Sequence, residues 1–173
     1  MEFCLFTPET LKATKTGWIK DAASGAGFLP DIEQRMDWVE NHLCLEGNSV
    51  AYGVFDGKTR IAVGICELVI TKPDPKKAWV KFIRLHFRPK IDEQIFGSVM
   101  DGIQTAINAY ITCVIGILNV KNEHNASIIK VYGRTPGQIS FLKLLDSALK
   151  DKQEASFKSS IEGRWLVLKW GKS

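Results

Sequence analysis

The chain is poor in the residues that usually announce a metal site or a disulfide framework. Its four cysteines, Cys4, Cys44, Cys66 and Cys113, stand far apart with no C-x-x-C spacing, and its three histidines, His42, His86 and His124, are scattered. No metal is expected, and each cysteine, in or beside an apolar segment, reads as a small buried hydrophobe. Proline is scarce, at six residues, and no linker or low-complexity tract divides the sequence, so residues 1–173 are expected to form one domain. No apolar run approaches the ~20 residues that cross a bilayer; the longest, Ala109 to Leu118, is interrupted by Thr112 and Gly116. Met1 to Phe6 is apolar but has no basic leader, and Pro8 and Glu9 follow at once. No targeting segment and no membrane partner are therefore expected, and the chain is assigned to the cytoplasm. A net charge of only +4 argues against a general nucleic-acid binder.

What is present is an ordinary globular composition, 45% apolar and 24% charged, in a chain long enough to bury a core without staples. Charge is uneven. Between Lys72 and Glu93, seven bases (Lys72, Lys76, Lys77, Lys81, Arg84, Arg88, Lys90) face three acids, a local excess equal to that of the whole chain. This stretch is either a solvated loop and strand end or a surface for an anionic ligand or acidic partner.

Periodicity orders the elements. Residues 2–6 read as a strand, and Thr7-Pro8 as a helix start, a hydroxyl cap followed by proline at the first turn. The segment 23–30, with two glycines and a proline, ends that helix; Asp31 with Gln34 suggests a capping box for the next, with Gly47 as its stop. Ser24-Gly25-Ala26-Gly27 could also be read as a nucleotide loop, but no hydrophobic strand precedes it. Residues 49–55 and 59–70, joined at Asp56-Gly57, read as a hairpin whose two turn residues take positive φ. A proline-broken loop (72–77) leads to a strand at 78–87, and a helix is predicted over 93–111 from Ile95, Val99, Met100, Ile103, Ile107 and Ile111. CVIGILNV (113–120) reads as a buried strand. NASIIKVYG (125–133) reads as either helix or strand, followed by a helix marked by Ile139, Leu142, Leu145 and Leu149 and a closing strand at 164–170. The class is α/β, a mixed central sheet of about six or seven strands with flanking helices.

Strand, two helices, three-strand meander, long helix, strand, helix, strand is the order of the GNAT acetyltransferases, and from about Ser49 the chain resembles that superfamily. VKNEHNASIIKVYG (120–133) is similar to the family's V-x-x-x-N-x-x-A-x-x-x-Y segment, which follows the fifth strand. The resemblance implies an acetyl-CoA-dependent transfer of acetyl to an amine, on a small molecule or a protein. It implies that Tyr132 protonates the departing thiolate, that Asn125 lies by the pantetheine, and that amides near Leu85 to Phe87 hold the thioester oxygen. As a sheet tyrosine, Tyr132 would have no such role. The base would be Glu67 or His86; a carboxylate in an apolar strand is expected to titrate high, which suits a base near neutral pH. Arg84, His86 and Arg88 alternate onto one side of their strand, ~6.6 Å apart. They line an acceptor pocket for an anionic substrate or form the wet end of the strand.

The family's R/Q-x-x-G-x-G/A signature lets backbone amides at the long helix's start wrap the CoA pyrophosphate. With its last small residue laid on Gly97, followed by Ser98, the signature falls on Asp92 to Gly97. The basic first position is then Asp92 and the middle glycine Ile95, so acetyl-CoA is expected to bind weakly or not at all unless Arg88 and Lys90 replace the loop amides. Two classes of function are consistent with this: an acetyltransferase with an unusual phosphate loop, or a non-catalytic GNAT-shaped protein that binds a protein partner. The second kind occurs among bacteriophage virion and accessory components, which the chain resembles in its short loops and V-Y-G-R turn.

Overall fold

The computed structural model describes residues 1–43, 48–74, 77–150 and 157–171. The expected helix stop at Gly47, Cys44, and Pro75-Lys76 of the basic segment lie outside them. Seven strands form one mixed sheet in the order β1-β2-β3-β4-β5-β7-β6. They are β1 (Glu2–Leu5), β2 (Ser49–Phe55), β3 (Ala62–Asp74), β4 (Lys77–Phe87), β5 (Ala126–Tyr132), β6 (Phe157–Glu162) and β7 (Trp165–Trp170). The helices are α1 (Pro8–Ala23), α2 (Leu29–Glu40), α3 (Pro89–Phe96), α4 (Met100–Glu123) and α5 (Pro136–Lys150). The strand expected at 78–87, β4, is fourth of the seven. By contacts the chain divides into two compact units, Met1–Glu67 with Leu85–Gly116, and Leu68–Arg84 with Ile117–Ser173.

In the first unit the Thr7 side chain accepts from the Thr10 amide while the Thr10 hydroxyl accepts from the Thr7 amide, so both orphan donors at the start of α1 are satisfied. The core gathers Leu11 and Trp18 of α1, Ile32, Met36 and Val39 of α2, and Phe55, Ala62 and Ile65 of the strands. α1 also anchors the start of β3: Trp18 Nε1 donates to the Ala62 carbonyl at 2.9 Å and Thr14 Oγ1 accepts from its amide at 3.0 Å. Cys66 and Cys113 are fully buried with their sulfurs 3.4 Å apart, whereas Cys4, expected inside, is exposed.

Several local expectations change. α2 begins at Leu29 with Phe28 as its N-cap, so Asp31 stands in the first turn beside the helix's positive end instead of capping it. Gly25 and Gly27 have φ of 99° and 85°, and the amides of Ser24, Gly25 and Ala26 donate to carbonyls of Lys20, Asp21 and Ala22. That segment therefore caps α1 and offers no phosphate cradle. Neither Asp56 nor Gly57 has positive φ. The Asp56 carboxylate instead accepts from the amides of Lys58 and Thr59 and from the Thr59 hydroxyl, bridging a longer turn.

The largest change concerns the long helix. Ser98 takes φ 55°, and a break at Gly97–Val99 separates α3 from α4, which then runs through the segment expected to be a strand at 113–120. Its buried face is Ala109, Cys113, Gly116, Ile117 and Val120, while Met100 is 73% exposed. At Gly116 a Cβ would come within 2.1 Å of the Phe3 ring, so the missing side chain is what lets β1 lie against this helix. By length and composition α4 could cross a bilayer, because Thr, Gln and Asn interrupt its apolar run without charging it.

In the second unit β5 pairs parallel with β4 and antiparallel with β7. The segment 127–132 is therefore strand. β6 and β7 form a hairpin turned at Gly163, whose φ is 63°, and α5 packs on it, the Ser159 hydroxyl of β6 donating to the Asp146 carbonyl at 3.4 Å.

Candidate active site

The first unit brings two of the candidate residues into contact. His86 Nε2 on β4 is hydrogen-bonded to Glu67 Oε1 on β3, its neighbour in the sheet. The His86 side chain is 6% exposed and that of Glu67 22%, so one partner is buried and the other reaches solvent. Gly64 sets the spacing between the strands. A Cβ there would lie 2.9 Å from Leu85 Cδ1 and 3.3 Å from the His86 carbonyl oxygen. Either candidate alone fits a proton acceptor; joined, they form a carboxylate–imidazole pair that holds or accepts a proton between two inner strands of the sheet. The neighbouring Cys66 is no nucleophile, because burial, followed by its contact with Cys113, pushes its thiol well above the ordinary range.

Arg88, expected beside the phosphates, is paired within the protein. Its Nε and Nη2 donate to the two carboxylate oxygens of Asp21 at 2.7 and 2.9 Å, and the Asp21 side chain is 7% exposed. This hydrogen-bonded partner raises the guanidinium pKa further. One signal for Asp21 was present in the sequence, a carboxylate at the C-terminal end of α1 where the helix dipole disfavours it. With His86 tied to Glu67 and Arg88 to Asp21, the alternation Arg84, His86, Arg88 does not produce a row of cations along the strand end. Lys90 is exposed on α3.

The phosphate signature changes register. Asp92 to Gly97 lies within and just past α3, whereas the long helix begins at Met100. The residues directly before it are Gln94, Ile95, Phe96, Gly97, Ser98 and Val99, which match the signature at Gln94 and Gly97 and depart from it at Val99. The amides of Gly97, Ser98 and Val99 donate to the carbonyls of Glu93, Ile95 and Gln94. A Cβ at Gly102 would lie 2.2 Å from Gln94 Cβ, so α3 rests on the first turn of α4. Leu85 and Phe87 stand beyond the Phe82↔Val131 pair of the β4–β5 ladder.

Among the described residues, a cleft of about 230 Å³ in this unit is lined by Gly27, Phe28 and Arg35 together with the carboxylates Asp31, Asp92 and Glu93. No group of residues suited to a metal ion occurs among those described.

In the second unit Asn125 takes φ 50° in the turn from α4 into β5. Tyr132 ends β5, its ring 4.8 Å from that of Trp165 and its hydroxyl accepting from Arg164 Nη1 at 3.4 Å. The segment carrying both residues thus enters and forms the fifth strand instead of coming after it. Beyond the strand lie Gly133 to Thr135 and the start of α5, where Gln138 Oε1 accepts from the amides of Arg134 and Thr135.

No family model and no curated protein matches the chain. Among solved structures it is similar to a probable acetyltransferase, 15% identical over 94% of this chain and 97% of the other, with a TM-score of 0.49. An acetyltransferase of the GNAT family from Staphylococcus aureus Mu50 is 10% identical over 98% and 99% of the two chains, with a TM-score of 0.45. A chain of the NatC complex bound to Gag peptide and CoA is 14% identical over 100% of both, also with a TM-score of 0.45. Identities this low, with TM-scores under 0.5, give no residue a role. The element order is GNAT-like, with two helices instead of one between β4 and β5 and a hairpin instead of a single closing strand, and the likeness stops at the fold.

Proposed function

We propose that the chain is an acetyl-CoA-dependent N-acetyltransferase in which the Glu67–His86 pair takes the proton from an amine acceptor. The observation that carries this reading is the hydrogen bond between a buried imidazole and a solvent-reaching carboxylate on adjacent strands. An amine is a nucleophile only after losing its proton, and a positioned acceptor contributes ~10²–10⁴-fold. The cofactor's fit rests on Gln94 and Gly97 in the signature positions before a 24-residue helix, whose first-turn amides at Met100, Asp101 and Gly102 have no intrahelical acceptor. Acetyl-CoA, when bound, supplies an acyl group activated as a thioester. The amides of Leu85 and Phe87 remain the candidates for holding its oxygen, and Tyr132 the candidate acid carried over from the family. Carboxylates at Asp31, Asp92 and Glu93 favour a cationic amine over an anionic acceptor near α3. The test is release of free CoA thiol over a panel of amines by wild type, Glu67→Gln and His86→Gln. Turnover lost in both variants, with unchanged melting, supports the pair; turnover retained in both removes it.

A second reading, a non-catalytic GNAT-shaped binding or structural component such as a bacteriophage virion or accessory protein, is favoured by one feature. Three amides at Gly97 to Val99 already serve α3, and Asp101 adds like charge to the first turn of α4. Absence of any saturable acetyl-CoA binding selects this reading.

A further inference from the structure

α4 is apolar on two opposite faces. One packs inward through Ala109, Cys113, Gly116 and Val120; the other exposes Met100 (73%), Ile107 (48%), Ile111 (52%), Val114 (42%), Ile115 (56%) and Leu118 (38%). At 100° per residue the outer set falls within one stripe, and no charged residue occurs from Gly102 to Val120. Solvent alone does not explain such a face. Large exposed side chains at this density exceed the scattered single hydrophobes of an ordinary surface.

We propose that this face is where a second copy of the chain packs, α4 against α4 in antiparallel fashion about a two-fold axis. Two properties favour a second copy over other occupants. First, Met100, Gln104, Ile107, Ile111, Val114 and Leu118 alternate in steps of four and three, the seam that packs knobs into the holes of another helix. A helix meeting itself is self-complementary by symmetry. Second, the area suffices. Six large side chains about half exposed offer on the order of 500 Å² per copy, so two faces bury roughly 1,000 Å², the lower bound for a specific interface. A bilayer surface is the other apolar occupant, but a helix lying on lipid carries lysine and arginine along its flanks. Here Asn108, Thr112 and Asn119 border the stripe, and no lysine or arginine occurs from Gly102 to Val120.

The test is the mass in solution by light scattering or sedimentation equilibrium, for the full chain and for Ile107→Glu and Ile111→Glu, with melting curves for each. Sedimentation with zwitterionic and anionic vesicles completes it. The expected result is a wild-type dimer in the micromolar range, at least ~tenfold weaker dimerisation in each variant, unchanged folding because both positions are exposed, and no vesicle binding. A monomeric wild type overturns the proposal, as does a dimer indifferent to both folded variants. Vesicle binding that Ile111→Glu abolishes assigns the face to lipid and overturns it too. Should Ile111→Glu fail to fold, Ile111→Gln and Ile107→Gln carry the same comparison.

Discussion

Arg88 and Asp21 are joined by two parallel hydrogen bonds, Nε to Oδ2 at 2.7 Å and Nη2 to Oδ1 at 2.9 Å, which tie the start of α3 to the end of α1. The planar fork matches the carboxylate in a way lysine does not. Arg88→Ala leaves the Asp21 carboxylate buried without this partner. It should cost about 3 kcal/mol, and lowering of the melting temperature checks it. A ligand-binding arginine would leave the melt unchanged and alter only affinity.

The two faces of α4 predict opposite outcomes for aspartate. Met100→Asp, at a position exposed in the single chain, should leave the chain able to fold. Ala109→Asp, fully buried, should prevent folding, because a charge without a partner costs several kcal/mol or must neutralise. Denaturant melts of the two variants check this. The sequence alone favours the reverse for Met100, as part of a helical face packed on the sheet.

That reversal shows what was legible. Apolar runs bounded by turn residues marked β2 and β4 almost to the residue, and Thr7-Pro8 marked the start of α1, because turn residues and hydroxyl caps act locally. A short apolar run such as 113–120 fits a buried strand and a helix equally well. Only the inward contacts of Cys113, Gly116 and Ile117 decide for helix. β6 went unseen because its exposed face is Lys158, Ser160 and Glu162, yet Glu162-Gly163-Arg164-Trp165 carries a two-residue turn signal. Glu67 and His86 were visible as residue types. Their pairing was not, since it depends on the register of β3 against β4. Asp21 and the Gln94 register depend in the same way on where helices begin and end.

Stability should carry an acid limb from Asp56. Desolvation alone would raise its pKa, but hydrogen bonds from Thr59 and Lys58 outweigh it and hold the folded value below that of the free side chain. A depressed folded pKa contributes stability that is fully present above the unfolded value, near 3.8, and is lost as pH falls through the folded one. Asp56→Asn should therefore lower stability by about 1 kcal/mol at neutral pH and flatten its fall below pH ~4. Urea melts across pH 2.5–6 check both; an unchanged acid limb removes Asp56 as its source.

Glu67→Gln and His86→Gln should each lower acetyl transfer by ~10²-fold or more while leaving cofactor affinity within a few-fold, since the pair acts on the amine. Rate against amine concentration at saturating acetyl-CoA separates the effects. A fall in affinity without a fall in turnover would make the pair a structural element of the sheet.

Calorimetric titration with acetyl-CoA, alongside desulfo-CoA and adenosine diphosphate, bears most directly on whether this chain is an acetyltransferase. The reading based on Glu67, His86 and the Gln94–Gly97 register predicts saturable binding within the ~1 μM–1 mM range of working enzymes. It also predicts competition by desulfo-CoA, and weakening when Val99→Asp adds charge at the start of α4. A normally melting protein that gives no saturable heat at millimolar acetyl-CoA would contradict it and leave a GNAT-shaped binding protein.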